Sequence, residues 1–444
     1  MFHSTDLSYY IISLGCSKNL VDSEKINGAM SSAGFSSVSS SEDADILIIN
    51  TCGFITPAKE ESIGVIFDAL EQRDASAGNM ERPFGKKVVV TGCLTQRYYS
   101  DIRNDIPEID FIDGVPDENF VGKISTAFHI SLDGRLQRDQ VPLEKGTAFA
   151  YIKISEGCSN NCAYCTIPFI RGSHVSFSPT EILHDARQAL KRGAREIIII
   201  AQDTASYNWN GTGLAEIVNM ISELPGVDWI RLMYCHPDHI TDEIVGLLAD
   251  NKKVVKYVDV PFQHASGPIL KSMGRRGNFD SYLELVLKLR ERVTGIRIRS
   301  TFMVGHPGET GGDFARLMEF IEKAQLDRVG AFMYSPEEGT RSVSLDGKVS
   351  ARVMKKRYNQ LMKLQQVISR EKLKGMIGST VNVLVEERLD EKTCVGRSEF
   401  DAPEVDGVFY LTTTMDLINT IVRARVTDAV EYDLIGETLE NTGI

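Results

Sequence analysis

The sequence lacks the features that would mark an exported, membrane-spanning or strongly basic protein. Its purely apolar runs are short, as at residues 197–201, whereas a membrane-spanning helix needs about 20 such residues. Residues 1–10 contain no basic stretch followed by an apolar one, so we expect no secretory signal. The 444 residues carry a formal net charge of −12, which argues against wholesale electrostatic binding to nucleic acid but leaves room for a local basic patch. We therefore expect a cytoplasmic chain of two or three domains with no membrane partner.

Cysteine is scarce, but its placement is informative. The eight cysteines are Cys16, Cys52, Cys93, Cys158, Cys162, Cys165, Cys235 and Cys394. Disulfides are rare in a reducing cytosol, so these residues favour metal ligation or catalysis. Cys235 and Cys394 stand apart from the two groups described below, and we expect both to be buried or incidental thiols.

Residues 1–127 carry a repeated strand–helix pattern. Strands are predicted at 9–14, 45–50 and 87–91, with helices at 19–32 and 57–72. Such alternation implies a parallel sheet joined by crossover helices. We therefore predict an N-terminal parallel α/β domain over 1–127. A linker is predicted at 128–147, where periodicity is weak and several residues are charged.

Residues 148–374 carry a longer series of strand–helix units. The predicted strands are 148–155, 196–201, 229–234, 255–260, 297–304 and 328–334. One helix has a clear start, because Ser178 can cap it, Pro179 suits its first position and Glu181 can complete a capping box. Six units are too few for a closed eight-unit barrel. We predict a partial, TIM-like (β/α)6 barrel with its site at the C-terminal ends of the strands.

The remaining residues, 375–444, change to a different pattern. A basic helix is predicted at 351–374, just before this change; its cations could contact RNA, although a solvated helix face is the simpler account. Short alternating strands then follow at 380–385, 393–397, 407–411 and 420–426. This pattern predicts a small antiparallel β-barrel over 375–444.

The strongest chemical signal is the run CSNNCAYC at residues 158–165, directly after the first strand of the central domain. Its cysteines, Cys158, Cys162 and Cys165, have C-x3-C-x2-C spacing, which can hold three irons of a four-iron four-sulfur cluster. The fourth iron would then stay open to another ligand. A zinc site is the first alternative, but it calls for four ligands at other spacings. Three unrelated buried cysteines are the second.

This spacing, with an aromatic residue before the last cysteine, resembles the radical S-adenosylmethionine superfamily. The resemblance implies that the open iron binds the amino and carboxylate groups of the cofactor's methionine part. It also implies that the reduced cluster cleaves the cofactor to a 5′-deoxyadenosyl radical, which abstracts a hydrogen atom from carbon. In that case Cys158, Cys162 and Cys165 are catalytic, and Tyr164 lies near the adenine.

Cys16, Cys52 and Cys93 form a second group, because each closely follows one of the three N-terminal strands. Neighbouring glycines permit tight turns and a close approach of the backbone to a bulky ligand. Ligands of open parallel sheets bind beyond the carboxyl ends of the strands, so the three cysteines could converge. The alternative is three buried core thiols.

The two groups, in this order, resemble the methylthiotransferase family over essentially the whole chain. The resemblance implies a second four-iron four-sulfur cluster on Cys16, Cys52 and Cys93, and a C-terminal barrel of the TRAM type. The open iron of that cluster would hold the sulfur to be transferred, and two molecules of S-adenosylmethionine would be used. An external electron donor and a sulfur source are also implied.

Further candidates for cofactor contact follow two core strands. Gln202 and Asp203 follow the second strand, and Gly305, Gly308 and Glu309 follow the fifth. Their positions match the strand ends at which a partial barrel keeps its site. The alternative for the second set is an ordinary strand-to-helix turn. We assign no proton transfer to the nearby histidines, which are more often hydrogen-bonded structural groups; they are His236, His264 and His306.

Two observations distinguish branches of the family. The runs at 202–207 and 397–407 resemble the branch that modifies an aspartate of small-subunit ribosomal protein S12, rather than the branch that modifies an adenosine of transfer RNA. Residues 375–444 contain five lysine and arginine residues against fourteen aspartate and glutamate residues, which suits a basic protein partner better than RNA. We expect the acidic residues Glu399, Glu404 and Asp406 to hold that partner.

The sequence therefore predicts methylthiolation of an aspartate β-carbon in S12, met free or on the ribosome. A transfer RNA adenosine methylthiotransferase is the first alternative. The second is a non-catalytic iron–sulfur scaffold or electron carrier, which would need neither an open iron nor a mouth sized for the cofactor.

Overall fold

A computed structural model describes residues 2–76, 84–133 and 147–439, which form two compact units. The first unit contains the described residues up to 133 together with 157–159 and 166–173, and the second contains the rest. Most of the predicted linker lies outside the described residues. The division at 127 and 148 stays a prediction, although the short strand Ile130–Ser131 still pairs with Phe2–His3.

The first unit contains a five-stranded parallel sheet, which confirms the predicted N-terminal architecture. In spatial order its strands are Ser36–Ser37, Ser8–Ser13, Ile46–Thr51, Lys87–Gly92 and Phe111–Ile112. Its α-helices are Ser17–Ser32, Thr56–Ala75, Cys93–Arg97, Tyr99–Asp105, Phe120–Phe128 and Ile167–Arg171, with 3-10 turns at Ser4–Asp6 and Ser41–Asp43.

The middle strand of this sheet is buried on both faces. Ile46 and Ile48 pack into one apolar cluster, and Leu47 and Ile49 pack into another. Successive side chains of a strand point to opposite faces, so helices must cover both sides of the sheet. The continuous apolar run in the sequence has this cause.

The second unit begins with six parallel strands that neighbour one another in chain order, which confirms the predicted partial barrel. The strands are Phe149–Lys153, Glu196–Ile200, Trp229–Leu232, Val254–Asp259, Arg297–Val304 and Arg328–Met333. The α-helices are Pro179–Lys191, Leu214–Ser222, Asp242–Asp250, Gly267–Ser272, Phe279–Arg292, Gly311–Ala324 and Ala351–Lys374. Short antiparallel pairs join Ser155–Glu156 to Val175–Ser176 and Asn208–Trp209 to Thr212–Gly213, and 3-10 turns lie at Thr204–Ser206, Pro237–His239 and Arg341–Ser344.

The predicted helix start at Ser178 is confirmed. The Ser178 hydroxyl accepts a hydrogen bond from the Glu181 backbone N–H at 3.2 Å, and the Glu181 carboxylate accepts one from the Ser178 N–H at 3.2 Å. This reciprocal pair satisfies two donors that a helix otherwise leaves open. Within the described ranges, no helix combines the length and apolar character needed to cross a bilayer.

The C-terminal part of the second unit is a closed five-stranded barrel, as predicted. Around the barrel the strands are Thr380–Arg388, Thr393–Ser398, Phe409–Thr412, Leu434–Thr438 and Ile421–Ala429. Four neighbouring pairs are antiparallel, but Phe409–Thr412 pairs in parallel with Leu434–Thr438. The sequence analysis missed the strand Leu434–Thr438. Cys394 is fully buried in the barrel core, as expected of an incidental thiol.

Buried charged groups attach this barrel to the amino-terminal ends of the core strands. Glu196, the first residue of the second core strand, accepts hydrogen bonds from Arg231 at 2.6 Å and from Arg397 at 2.7 Å. All three side chains are at most 3% exposed. Asp401 similarly accepts a hydrogen bond from Arg328, the first residue of the sixth strand, at 3.1 Å. The barrel therefore lies at the end of the strands opposite to the expected site.

One residue expected to hold the protein partner belongs to this attachment instead. Asp406 accepts a hydrogen bond from the Tyr257 hydroxyl at 2.6 Å and lies 3.5 Å from Arg299, and its side chain is 1% exposed. Glu399 is half-buried, and only Glu404 is exposed. The expectation for Asp406 was wrong, because its partners come from distant core strands that local sequence does not reveal.

Candidate active site

Three cysteines lie at one edge of the sheet in the first unit. Cys52 and Cys93 directly follow the second and third of its three inner strands, and Cys16 follows the first after Leu14 and Gly15. The three strands are parallel neighbours, so their carboxyl ends meet at the same edge. The fold therefore brings together the turns on which the sequence analysis placed its second group of ligands.

The turns that carry these cysteines contact one another closely. Gly15 has a φ of +92°, and a Cβ atom there would lie 2.8 Å from the Cys52 sulfur. A Cβ atom on Gly53 would lie 2.7 Å from the Cα of Leu94, the residue after Cys93. Only glycine permits both approaches, because any side chain would push the turns apart.

The chemistry of the donor set fits a metal centre of high positive charge. Cys52 and Cys93 are 9% and 8% exposed, and burial raises the pKa of the Cys93 thiol to about 11. Arg171 opposes that rise in pKa, whereas charge on Cys16 and Cys52 adds to it. Thiols must lose their protons to bind metal, and a bound metal centre compensates the resulting charge. Cys16, which is exposed, is the third thiol at this sheet edge, and three thiols match the ligand set of an iron–sulfur cluster.

Arg171 is a neighbour of these cysteines that the sequence analysis missed. Its Nε and Nη2 atoms donate to the Cys93 sulfur at 3.3 and 3.1 Å. Its remaining donors reach Asp22 and Asn19 at 2.6 Å each. No spacing rule in the sequence marks Arg171. Only the fold brings the helix Ile167–Arg171 to the cysteine edge.

The CSNNCAYC run is divided between the two units, with 158–159 in the first and 160–165 in the second. In the first unit, Cys158 is 9% exposed and its backbone N–H donates to the Gly172 carbonyl at 3.1 Å. In the second unit, Cys162 and Cys165 are half-buried. One thiol of the loop is thus buried and two are half-buried, and their ligand role stays a prediction.

Within the second unit, an arginine supports the latter half of this run. Arg275 lies 3.4 Å from the Tyr164 hydroxyl and 3.9 Å from the Cys162 sulfur, and it donates to the Pro261 carbonyl at 2.7 Å. The Ala163 N–H donates to the backbone carbonyl of Met273, close to Arg275 in the chain, at 2.8 Å. Tyr164 is thereby fixed beside the cysteines. Its adenine contact stays a prediction.

Asp203 orders the cysteine loop from the carboxyl end of the second core strand. Its carboxylate accepts hydrogen bonds from Asn160, inside the CSNNCAYC run, and from His239, both at 2.6 Å. Burial would raise the pKa of Asp203, but these hydrogen bonds lower it overall. The preceding residue, Gln202, donates to Glu156 at 2.7 Å. Both predicted cofactor-contact residues thus have protein partners at the mouth.

Glu309 holds the turn that follows the fifth core strand. It accepts hydrogen bonds from the Gly305 N–H and from Arg357, the latter at 2.7 Å. Burial raises the pKa of Glu309 even though Arg357 opposes the rise. Gly305 and Gly308 have φ values of +82° and +86°, and a Cβ atom on Gly305 would lie 2.2 Å from Met354. The turn needs glycine whether or not it contacts the cofactor.

The three nearby histidines have the properties of structural groups. Burial lowers the pKa of His236 and His264 to about 3 and that of His306 to about 4. All three are therefore neutral near pH 7 and poor candidates for proton transfer. This agrees with leaving them without a catalytic role.

The basic helix Ala351–Lys374 presents most of its cations to solvent. The exposed ones are Arg352, Lys355, Lys356, Lys363, Arg370 and Lys374. Two others pair with carboxylates of the core, Arg357 with Glu309 and Lys372 with Asp327. The solvated helix face preferred in the sequence analysis accounts for these positions.

Three family models match the chain in succession. An uncharacterized protein family, UPF0004, matches residues 8–114, the radical SAM superfamily matches 152–321, and a TRAM domain matches 377–439. The order is that of the N-terminal sheet, the partial barrel and the closed barrel.

Solved structures with the same fold include two radical enzymes. The radical S-adenosylmethionine methyltransferase TsrM from Kitasatospora setae, with cobalamin and a [4Fe-4S] cluster bound, superposes with a TM-score of 0.56 at 15% identity over 76% of each chain. The cobalamin-dependent S-adenosylmethionine radical enzyme OxsB gives 0.52 at 11% identity, covering 82% of this chain and 56% of its own. At such identities the likeness concerns the fold alone.

Curated relatives match over nearly the full length. The ribosomal protein uS12 methylthiotransferase RimO of Desulforamulus reducens is 40% identical over 96% of this chain and 98% of its own. That of Carboxydothermus hydrogenoformans is 38% identical over 98% of this chain and 100% of its own. That of Sorangium cellulosum is 38% identical over 97% and 91%. At this identity and coverage, the chain belongs to the family of ribosomal protein uS12 methylthiotransferases.

Proposed function

We propose that this chain transfers a methylthio group to the β-carbon of an aspartate in small-subunit ribosomal protein S12. The observation that carries the proposal is the match, at 38–40% identity over nearly the whole chain, to relatives named for methylthiolation of uS12. A base does not easily remove a proton from the aspartate β-carbon, so abstraction of a hydrogen atom by a radical suits this carbon.

The proposal gives each cysteine group one four-iron four-sulfur cluster. Cys158, Cys162 and Cys165 would hold the cluster that binds S-adenosylmethionine, and the cysteines at the edge of the N-terminal sheet would hold the second; these are Cys16, Cys52 and Cys93. When bound and reduced, the first cluster supplies the electron that cleaves the cofactor. Three protein ligands leave one iron of each cluster free for another molecule. An external electron donor and a sulfur source complete the requirements.

The chain's own residues would prepare the mouth of the partial barrel for the cofactor. Asp203 fixes Asn160 within the cysteine loop, and Arg275 fixes Tyr164. We place the adenine beside Tyr164. The other proposed contacts lie at the ends of the second and fifth strands, where a barrel of this kind keeps its site; they are Gln202, Asp203, Gly305, Gly308 and Glu309.

The exposed surface of the C-terminal barrel supports a protein substrate over RNA. Its exposed acidic residues are Glu387, Asp390, Glu391, Glu404, Asp416, Asp428 and Glu437. Its exposed basic residues are Lys392, Arg423 and Arg425. The acidic excess therefore persists after the buried attachment is set aside. Such a surface attracts a basic protein and repels a phosphate backbone. The substrate would be met in the cytoplasm, free or on the ribosome.

Mass spectrometry of the product tests the proposal. Reduced enzyme is incubated with S-adenosylmethionine and a sulfur source, together with either S12 or bulk transfer RNA. We expect a methylthio mass gain on one aspartate of S12 and none on transfer RNA. A gain on adenosine of transfer RNA without one on S12 would replace the proposed substrate by the alternative. No cofactor cleavage at all would favour a non-catalytic scaffold.

A further inference from the structure

A buried cation contacts one of the three cysteines at the edge of the N-terminal sheet. The Arg171 side chain is 2% exposed, and two of its N–H groups point at the Cys93 sulfur, from 3.3 and 3.1 Å. Arg171 belongs to the same compact unit as Cys93, although it follows the CSNNCAYC run in sequence. Neither the family models nor the names of the relatives assign it a role.

Two polar side chains fix the orientation of this guanidinium. Asp22, itself only 6% exposed, accepts from Nη1 at 2.6 Å, and Asn19 accepts from Nη2 at 2.6 Å. The Asn19 amide donates in turn to the carbonyls of Leu14 and Thr51, both at 2.9 Å. Those carbonyls lie on the turns that lead to Cys16 and Cys52. One hydrogen-bond network therefore joins Arg171 to all three cysteine turns.

The arrangement suits a negatively charged sulfur at Cys93. A buried guanidinium is costly unless anionic partners and hydrogen bonds surround it. Asp22 supplies one anion, but the edge formed by Nε and Nη2 faces the Cys93 sulfur. A neutral thiol is a weak acceptor, whereas a thiolate that binds metal is a strong and charged one.

We propose that Arg171 is a positioning residue that orients Cys93 as a cluster ligand and raises the reduction potential of the N-terminal cluster. Hydrogen bonds to cysteine sulfur and nearby positive charge stabilise the more negative, reduced state of a cluster. The inference rests on the proposed ligand role of Cys16, Cys52 and Cys93. It adds that a residue outside the sheet, Arg171, adjusts the reduction potential of the cluster held there.

The test measures the reduction potential of this cluster alone. Full-length protein with Cys158, Cys162 and Cys165 replaced by Ala is reconstituted, its iron is counted, and its reduction is followed by electron paramagnetic resonance. We set the potential at which half of the cluster in this reference protein is reduced. At that potential, we expect the ratio of reduced to oxidised cluster to be about tenfold lower in Arg171→Gln. Arg171→Lys keeps the charge but loses the fork-shaped geometry, so its shift should be smaller. Arg103→Gln, which removes an exposed arginine of the same unit, should cause no shift.

The iron count separates the two ways in which this inference can fail. A reference protein without iron overturns the proposed ligands and Arg171 with them. Normal iron with an unchanged potential and spectrum in Arg171→Gln overturns the role of Arg171 alone. Should neither Arg171 variant retain iron, Asp22→Asn decides, because it keeps Arg171 and releases its orientation. Loss of the Asp22 charge alone would raise the potential, so a lowered potential in Asp22→Asn supports the proposal, and an unchanged or raised one contradicts it.

Discussion

The two cysteine groups differ in what brings their members together. Cys158, Cys162 and Cys165 share one short loop, so chain connectivity alone keeps them near one another. The other three follow separate strands and meet only after the parallel sheet has formed; they are Cys16, Cys52 and Cys93. A site that exists only in the folded state couples metal binding to folding. The N-terminal group should therefore depend on the sheet in a way that the loop group does not.

The two groups also differ in the arginine beside them. Arg171 donates to Cys93 from 3.1 Å, whereas Arg275 approaches Cys162 only to 3.9 Å and is engaged by a backbone carbonyl. N–H···S hydrogen bonds weaken with distance, so Arg171 acts on Cys93 more strongly than Arg275 acts on Cys162.

Removing the loop group should have the largest effect. Replacing Cys158, Cys162 and Cys165 by Ala should leave about four of about eight irons, because each cubane cluster holds four. It should also abolish the formation of 5′-deoxyadenosine. Iron analysis and chromatography of the reaction measure both. Cys394→Ala, which removes a buried thiol of the C-terminal barrel, is the control. Loss of all iron in the triple variant would break the distinction between the two groups.

The loop group could be predicted from sequence because its ligands and their spacing are local. The helix Ala351–Lys374 was also predicted with its observed bounds, since Gly375 and Gly378 mark where it ends. Arg171 was missed because its partners lie about 80 to 150 residues away in the chain. The sequence predicts Glu196 only as the start of a strand for the same reason, since its partners are supplied by another strand and by the C-terminal barrel.

A variant at the amino-terminal end of the core strands should lower the stability of the protein. It should leave the iron content of both cysteine groups unchanged. Glu196→Gln leaves Arg231 and Arg397 buried without their shared anion, which should cost about 3–5 kcal/mol. The expected result is a lower Tm with an unchanged iron content per folded chain. Glu291→Gln, at an exposed position, should change neither. An unaltered Tm for Glu196→Gln would mean that the barrel does not depend on this attachment.

The same carboxylate predicts a pH dependence with a definite sign. Burial would raise the pKa of Glu196, but Arg231 and Arg397 lower it overall, below its ordinary value of 4.5. A lowered pKa in the folded state gives stability that is complete above pH 4.5 and is lost as the pH falls further. Wild type should therefore lose more Tm between pH 5 and pH 3 than Glu196→Gln. Equal losses would show that Glu196 contributes nothing to acid sensitivity.

Charge reversal on the exposed barrel surface should have the smallest effect. Replacing Glu387, Glu391 and Asp428 by Lys should raise the KM for S12 a few-fold, because surface charges act mainly on encounter. 5′-Deoxyadenosine formation without S12 should not change. Glu284→Lys, on an exposed face of a core helix, is the control. The difference in KM between this variant and wild type should shrink as salt is added. If the KM changes with neither charge reversal nor salt, the barrel surface does not take part in substrate binding.

The division of labour between the two cysteine groups is tested most directly in the variant that lacks the N-terminal one. In full-length protein with Cys16, Cys52 and Cys93 replaced by Ala, 5′-deoxyadenosine and methylthiolated S12 are quantified in the same reaction. The account predicts continued 5′-deoxyadenosine formation with no methylthiolated S12. Methylthiolated S12 at the wild-type rate would contradict it, since sulfur transfer would then not need the N-terminal cysteines.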